Sequence, residues 1–413
     1  MKLNRLHLTA AILLTLISVQ GLFAQNTSSP YSRFGYGLLN DNATATQRQM
    51  GGIGYGMNSG RQINAMNPAS YAFIDSLTYL FDMGINYTSI KRTEGDAKEN
   101  TSGGGLDYIT MQFPVSKRIG MSIGLLPYSS VGYAFGSEIE NGLYSRQGSG
   151  GLNQLYAGIA GRILDGLSVG VNASYLFGNV INDAYATAES GSEALFEQVT
   201  SVRDWHIQAG VQYSFNVGRK NRFTLGAVYS PEKTLLGHAW VTQYDVTADT
   251  EPIEHQRVSL RNNAGLPETW GGGINYTWDN RFMVEADYTY QPWSKVKVLK
   301  LEGFDQNNFA DRWQISLGSQ FTPAERGSYL RRVSYRVGGF FNNDYIMVGT
   351  NRVREYGLSC GFGLPTLGRT IVNLGFEYRH RQAHPNPLLK ENYFSIRLGL
   401  NLNEIWFQKS KIK

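Results

Sequence analysis

A single cysteine, Cys360, stands among 413 residues, so neither a disulfide framework nor a thiolate zinc cluster can hold the chain together. Charge is also scarce. Asp, Glu, Lys and Arg make up 17% of the residues, against ~25% in soluble domains, which argues against an ordinary cytosolic enzyme. Past the first two dozen residues no uncharged apolar run approaches the ~18 needed for a spanning helix, and the hydrophobic share of 42% is low for a helical membrane protein. Multi-helix transporters are thereby excluded. Net charge is only +5, and the basic residues are scattered singly through aromatic and glycine-rich segments, so nucleic acid is not an expected partner. The six histidines form no metalloprotease or nucleophile motif. Chance proximity outweighs a rim site built from His255 or His384 with Ser259 or Asn386. No enzyme activity, metal or cofactor is expected.

What is present begins with a leader. Lys2 and Arg5 precede the apolar run from Leu8 to Val19, and Gly21-Leu22-Phe23-Ala24 follow. These are the three zones of a secretory signal peptide, residues 1–24. No cysteine follows the cleavage point, so an exported chain without an N-terminal lipid is expected.

Beyond the leader, hydrophobicity runs in period two, the mark of strands with one apolar face. Leu167, Val169, Val171, Ala173, Tyr175 and Phe177 alternate with Ser168, Gly170, Asn172 and Ser174. Phe282, Val284, Ala286, Tyr288 and Tyr290 alternate with Met283, Glu285, Asp287 and Thr289. Similar runs cover 205–216, 372–379 and 394–402. The polar faces mix charge with glycine, the apolar faces end in aromatics, and the runs exceed the five or six residues of a mean soluble strand. An apolar face turned to lipid, with aromatic girdles and a polar interior, describes a transmembrane barrel, which must close because lipid offers no partner to an open edge.

Alternation and turn signals predict an all-β antiparallel barrel of about 14 strands. Its hairpins fall at 77–91 with 104–115, 118–133 with 151–164, 166–180 with 199–217, 221–246 with 255–278, 281–301 with 308–321, 331–344 with 351–363, and 369–382 with 391–403. Tight connections at Ser116-Lys117, Asp165, Gly218 to Lys220 and Asp279-Asn280 are expected on the periplasmic side. The polar stretches Arg92 to Gly103, Ala134 to Gly150 and Ile181 to Gln198 are expected as long outer loops. An even strand count places both termini in the periplasm. The barrel is thus expected over 77–403 of the outer membrane, followed by a basic tail, 404–413, with Lys409, Lys411 and Lys413.

Residues 25–76 do not alternate, yet they are too rich in glycine, methionine and aromatics for a free tail. They are expected to form a compact plug, or hatch, in the lumen. Within it, Asn67-Pro68-Ala69 resembles the N-terminal hatch motif of the FadL-type transporters of long-chain fatty acids and other hydrophobic compounds. Tyr229-Ser230-Pro231-Glu232 with Leu236-Gly237 resembles that family's mid-barrel segment. Leu266-Pro267-Glu268-Thr269-Trp270 leads into Val284 to Tyr290 and Trp293-Ser294, similar to the family's Asp-x-x-Tyr-x-x-Trp-Ser strand. The Ser29 to Gly35 opening and the ending Asn403-Glu404-Ile405-Trp406-Phe407 depart from the family pattern, so a divergent branch is expected.

The resemblance implies a fourteen-stranded plugged barrel and passive uptake of hydrophobic compounds with lateral exit into the bilayer. The implied partners are outer-membrane lipid and a hydrophobic small molecule. Phe34, Met50, Ile53, Met57, Ile63 and Met66 are the candidate substrate contacts, because methionine's thioether adapts to varied apolar ligands. They could equally fill the plug's own core. Gly51, Gly52, Gly54, Asn67, Pro68 and Ala69 are expected to shape the hatch. Glu285, Asp287, Glu377, Arg379, Arg381 and Arg397 are inward charges, expected to brace the lumen as pairs. The alternative is a non-transporting barrel that serves as scaffold or shuttle in an outer-membrane secretion or assembly complex, with a periplasmic or outer-membrane protein as partner.

Overall fold

In the computed structural model, residues 29–405 are described, apart from 140–141, 189–192, 236–239, 247–252, 260, 262–263, 298–308 and 367. The signal-peptide reading and the Lys-rich tail lie outside the described residues.

A two-residue strand, β1 (Leu38–Leu39), lies within the N-terminal segment. The wall then runs through β2 (Thr78–Glu94), β3 (Ala97–Pro114), β4 (Ile119–Pro127), β5 (Ser129–Ile139), β6 (Gly142–Leu164), β7 (Leu167–Ala188), β8 (Glu193–Val217) and β9 (Asn221–Ser230). The short strands β10 (Lys233–Thr234), β11 (Trp240–Val246), β12 (Ile253–Ser259) and β13 (Gly265–Leu266) follow. The wall resumes with β14 (Thr269–Trp278), β15 (Phe282–Gln291), β16 (Arg312–Phe321), β17 (Ser334–Val348), β18 (Asn351–Pro365), β19 (Ile371–His384) and β20 (Lys390–Ile405).

Each wall strand pairs antiparallel with the next, β4 with β6 past β5 and β9 with β14 across the excursion between them, and β20 closes on β2 with Thr78 opposite Ile405. Leaving out β1, β5 and β10–β13, fourteen strands form the closed barrel, as the alternation predicts. Side-chain direction follows the lipid logic. Trp205, Ile207, Ile274, Leu317 and Leu358 point outward and are exposed, while Gln212, Asn275, Glu285 and Ser359 point inward and are buried. The turn Asp279-Asn280 takes positive φ at both residues, 51° and 54°, the primed-turn geometry that Asp and Asn tolerate in a two-residue hairpin.

Three of the expected outer loops are strand instead. β2 and β3 continue to a turn at Gly95-Asp96, β5 and β6 pair from Val131 to Gly150, and β7 and β8 pair on through Thr187 and Glu193. β6, β7 and β8 are 23, 22 and 25 residues long, about twice the ~9–11 that cross a bilayer. Their outer halves stand clear of lipid, where neither face must be apolar, so the alternation that identifies the inner halves fades. The hairpin expected at 221–246 with 255–278 is also interrupted. β9 stops before Pro231, and β11 pairs with the outer part of β8. A proline cannot donate to the ladder and breaks a central strand.

The ends of the described residues do not share a side. Ser29 donates its backbone N–H to the Gly132 carbonyl and its hydroxyl to Glu391, at the long-hairpin end, whereas Ile405 lies at the tight-turn end. Even strand number brings Thr78 beside Ile405, but the segment before it runs the full length of the lumen.

Candidate functional site

The N-terminal segment enters at the long-hairpin end as an aromatic cap. Tyr31, Phe34 and Tyr36 are buried with Trp293 and Tyr345, whose rings stack at 4.4 Å. The Tyr36 hydroxyl donates to the Gly265 carbonyl at 3.1 Å. Farther in, Asp41 accepts from Arg312 at 3.2 Å. Burial pushes the Asp41 carboxyl upward, but the Arg312 and Arg48 guanidiniums outweigh it and hold the group below its ordinary range.

A four-residue helix, Ala45–Arg48, is closed at its start by a capping box between Thr44 and Gln47. Gly51 and Gly52 follow at φ of 71° and 78°, a left-handed pair that turns the chain along the wall. Gly51 donates to the Ser359 hydroxyl at 2.9 Å. Three residues on, the successive backbone N–H groups of Gly54, Tyr55 and Gly56 meet two buried carboxylates of β15. Gly54 and Tyr55 donate to Asp287 Oδ2 at 2.6 and 3.0 Å, and Gly56 donates to Glu285 Oε1 at 2.8 Å. Glu285 Oε2 accepts from Asn275 at 2.7 Å.

Asn64 ties the segment to itself, donating to the Met57 carbonyl at 2.8 Å. Asn67 caps the 3-10 turn Pro68–Phe73 through Ala69 N–H at 3.1 Å. Its amide also donates to Tyr55 and, on β8, Val211 carbonyls. Gln212 donates to the Tyr55 carbonyl at 2.9 Å.

The wall accommodates this backbone through glycine. A Cβ on Gly226 would overlap the Tyr55 carbonyl, and one on Gly338 would overlap the backbone of Met50 and Gly51. Gly170 and Gly210 stand in the same relation to Pro68, Gly120 to the Tyr71 carbonyl, and Gly318 to Met50. These inward glycines belong to β4, β7, β8, β9, β16 and β17; at Gly210 on β8 the neighbours are the Asn67 side chain and the Pro68 ring, and at the other five backbone meets backbone.

Of the candidate substrate contacts, Met50, Ile53 and Met57 share one buried cluster with Met283. Met66 packs with Ala43, Tyr55 and Val228, Ile63 with Ile74 and Leu80, and Phe34 with the aromatic cap. All six are buried, Met50, Ile53 and Ile63 completely so. They form four separate clusters and do not line one path. The hatch-shaping candidates Gly51, Gly52, Gly54 and Asn67 to Ala69 all lie at contacts with the wall or at turns.

The inward charges divide. Glu377, Arg379, Arg381 and Arg397 form one network. Arg397 bridges Asp107 at 2.6 Å and Glu377 at 3.3 Å, Arg379 reaches Glu377 at 2.7 Å, and Arg381 meets Glu355 at 2.8 Å. Glu285 and Asp287 stand apart and hold the hatch. Residue-type reasoning passed over the wall glycines, Gln212, Asn275 and Ser359. Their only signal was the recurrence of small or amide residues at inward positions.

Two small cavities, of about 80 and 40 Å³, flank the middle of the hatch. Asn42, Gln154, His206, Gln208 and Arg312 line the first, and Arg48, Gln314, Glu355 and Arg379 line the second. On the lipid side, an apolar groove of about 590 Å³ runs over β4, β6–β9 and β14, between Ile159, Val171, Val211, Tyr229 and Trp270.

Comparison with solved structures gives the same architecture. A FadL homologue of Pseudomonas aeruginosa superposes with a TM-score of 0.63 at 12% identity, over 89% of this chain and 99% of that one. The toluene transporter TodX of P. putida gives 0.60 at 14%, over 89% and 100%. The toluene transporter TbuX of Ralstonia pickettii gives 0.57 at 13%, over 87% and 98%. No curated protein matches the sequence. The BamG family model matches residues 6–413, and with a FadL-type barrel, closed walls and outward apolar faces, this chain belongs to the BamG family as a divergent FadL-like branch.

Proposed function

We propose that this protein is a sealed outer-membrane barrel that serves as a scaffold or shuttle subunit in a secretion or assembly complex, with no conduit of its own. The observation that carries this reading is the seating of the hatch backbone against wall glycines such as Gly226 and Gly338. An annulus wide enough for an acyl chain would separate these surfaces. The flanking cavities add to it. At about 80 and 40 Å³ they fall well short of the ~300–1,000 Å³ of ligand sites. Their amide and charged linings would also oppose an apolar solute, since each Å² taken from an apolar site into a wet one costs ~25 cal/mol. A barrel closed in this way still offers its lipid face, its tall outer hairpins and its tight-turn end to protein partners.

A second reading, passive uptake of hydrophobic compounds such as long-chain fatty acids, is favoured by the apolar groove over Val171, Val211 and Trp270. It is also favoured by the fold shared with the toluene transporters. It requires the hatch to leave its seats. Native mass spectrometry of detergent-extracted protein separates the two. The scaffold reading expects stoichiometric protein partners and no retained fatty acid; the uptake reading expects a bound apolar ligand and no partner.

A further inference from the structure

The tight-turn end of the barrel opens onto a cavity of about 640 Å³. The hatch turn 57–62 forms its inner surface, and the ends of β9, β14–β17 and β19 form its sides. Five arginines line it, Arg61, Arg222, Arg281, Arg332 and Arg369, against two carboxylates, Asp75 and Glu325. Arg61 is matched by Asp75 and Arg281 by Asp279, each at 3.7 Å. Arg222 and Arg332 differ, because the Nε of each is buried without an acceptor among the described residues. Arg332 lies over the Tyr329 ring, 5.7 Å from its centroid.

A buried cationic donor without an acceptor is costly, and a carboxylate answers a guanidinium with two parallel hydrogen bonds. The geometry points to a docking socket for an acidic segment of a partner protein, whose Asp and Glu side chains pair with Arg222, Arg332 and Arg369. The hatch closes the inner end, so the cavity is a dead end suited to an inserted peptide. A lipid headgroup sits outside the wall, whereas Arg222 occupies an inward position of β9, on the face of buried Thr224. The inference deepens the scaffold reading and rests on it only in taking the ligand to be a protein segment.

The test uses the full mature chain in phosphatidylcholine nanodiscs and a fluorescein-labelled peptide of alternating aspartate and glycine, followed by anisotropy. Saturable binding is expected, weakening as salt is raised. Replacing aspartate by asparagine in the peptide should weaken it about ten-fold or more, as should Arg222→Gln combined with Arg332→Gln. Arg369→Gln, on an exposed turn and harmless to folding, should weaken it by about three-fold. Equal binding of the asparagine peptide overturns the proposal. So does unchanged affinity of Arg369→Gln together with the double variant, and Arg369→Gln decides alone if the double variant does not fold. Loss of peptide binding when phosphatidylglycerol joins the disc also overturns it, assigning the site to anionic headgroups. Because the assay reads neither flux nor co-purified partners, a failed socket leaves the scaffold reading standing, and a conducting barrel that still binds peptide leaves the socket standing.

Discussion

Removing the Asp287 carboxylate tests how firmly the hatch is held. Asp287 Oδ2 accepts from Gly54 and Tyr55 N–H at 2.6 and 3.0 Å in a buried site. Leaving a buried N–H without its acceptor costs about 1–3 kcal/mol, so Asp287→Ala, which orphans two, forfeits at most about 2–6 kcal/mol. Water entering the space left behind offsets part of this, leaving about 2–3 kcal/mol. At 1.4 kcal/mol per factor of ten, local opening of the hatch at Gly54-Tyr55-Gly56 should rise about 30- to 150-fold. Hydrogen–deuterium exchange of the peptide spanning these residues reads that opening directly, because exchange follows the free energy of local unfolding. Glu285→Ala, which loses the Gly56 contact, should give a smaller rise on the same peptide. Barrel strands far from the site, such as β19, should exchange as before. Unchanged exchange at 54–56 in Asp287→Ala would refute the idea that these carboxylates anchor the segment.

Three further outcomes follow from the same geometry. Gly226→Val overpacks the Tyr55 contact and should lower stability by about 1–3 kcal/mol or more, whereas Leu225→Ala, on the adjacent outward position, should cost less; urea unfolding into micelles compares them. Arg397→Met strands Asp107 in the lumen and leaves Glu377 to Arg379 alone, and should cost about 3–5 kcal/mol, read by the same titration. Asp41 carries a folded-state pKa below its ordinary value, so its stabilising contribution is complete above the unfolded pKa of ~3.9 and is lost as pH falls through the lower folded value. Wild type should therefore lose stability below about pH 4 to a degree that Asp41→Asn does not, and equal acid sensitivity in both would contradict the pairing with Arg312 and Arg48.

How much could be read from the chain divides along the bilayer. Inside the membrane, one face must be apolar, so alternation in runs such as 282–290 marks the strand, its register and its outward face. Above the membrane that demand lapses, and the outer halves of β6–β8 carry Ser, Gln, Asn and Asp on both faces, a composition that reads as loop. The glycines and methionines of residues 29–76 set that segment apart from the alternating strands, but its contacts with the wall were not legible. An inward glycine such as Gly338 is indistinguishable in sequence from one that merely lightens a polar face; its role depends on Met50, nearly three hundred residues earlier. In the same way Glu285 and Asp287 read as candidate members of ion pairs, whereas the structure gives them backbone N–H groups as partners. The arginines of the tight-turn mouth come from five separate stretches, and only closure of the barrel gathers them.

Flux through reconstituted protein tests the central claim most directly. Liposomes carrying the wild-type barrel should admit neither toluene nor a long-chain fatty acid faster than protein-free liposomes, and should show no steady conductance across a planar bilayer, while deletion of residues 29–76 should open the lumen to ions. Uptake by the wild type well above the protein-free rate, with the amides of Gly54 to Gly56 still protected from exchange, would contradict the account.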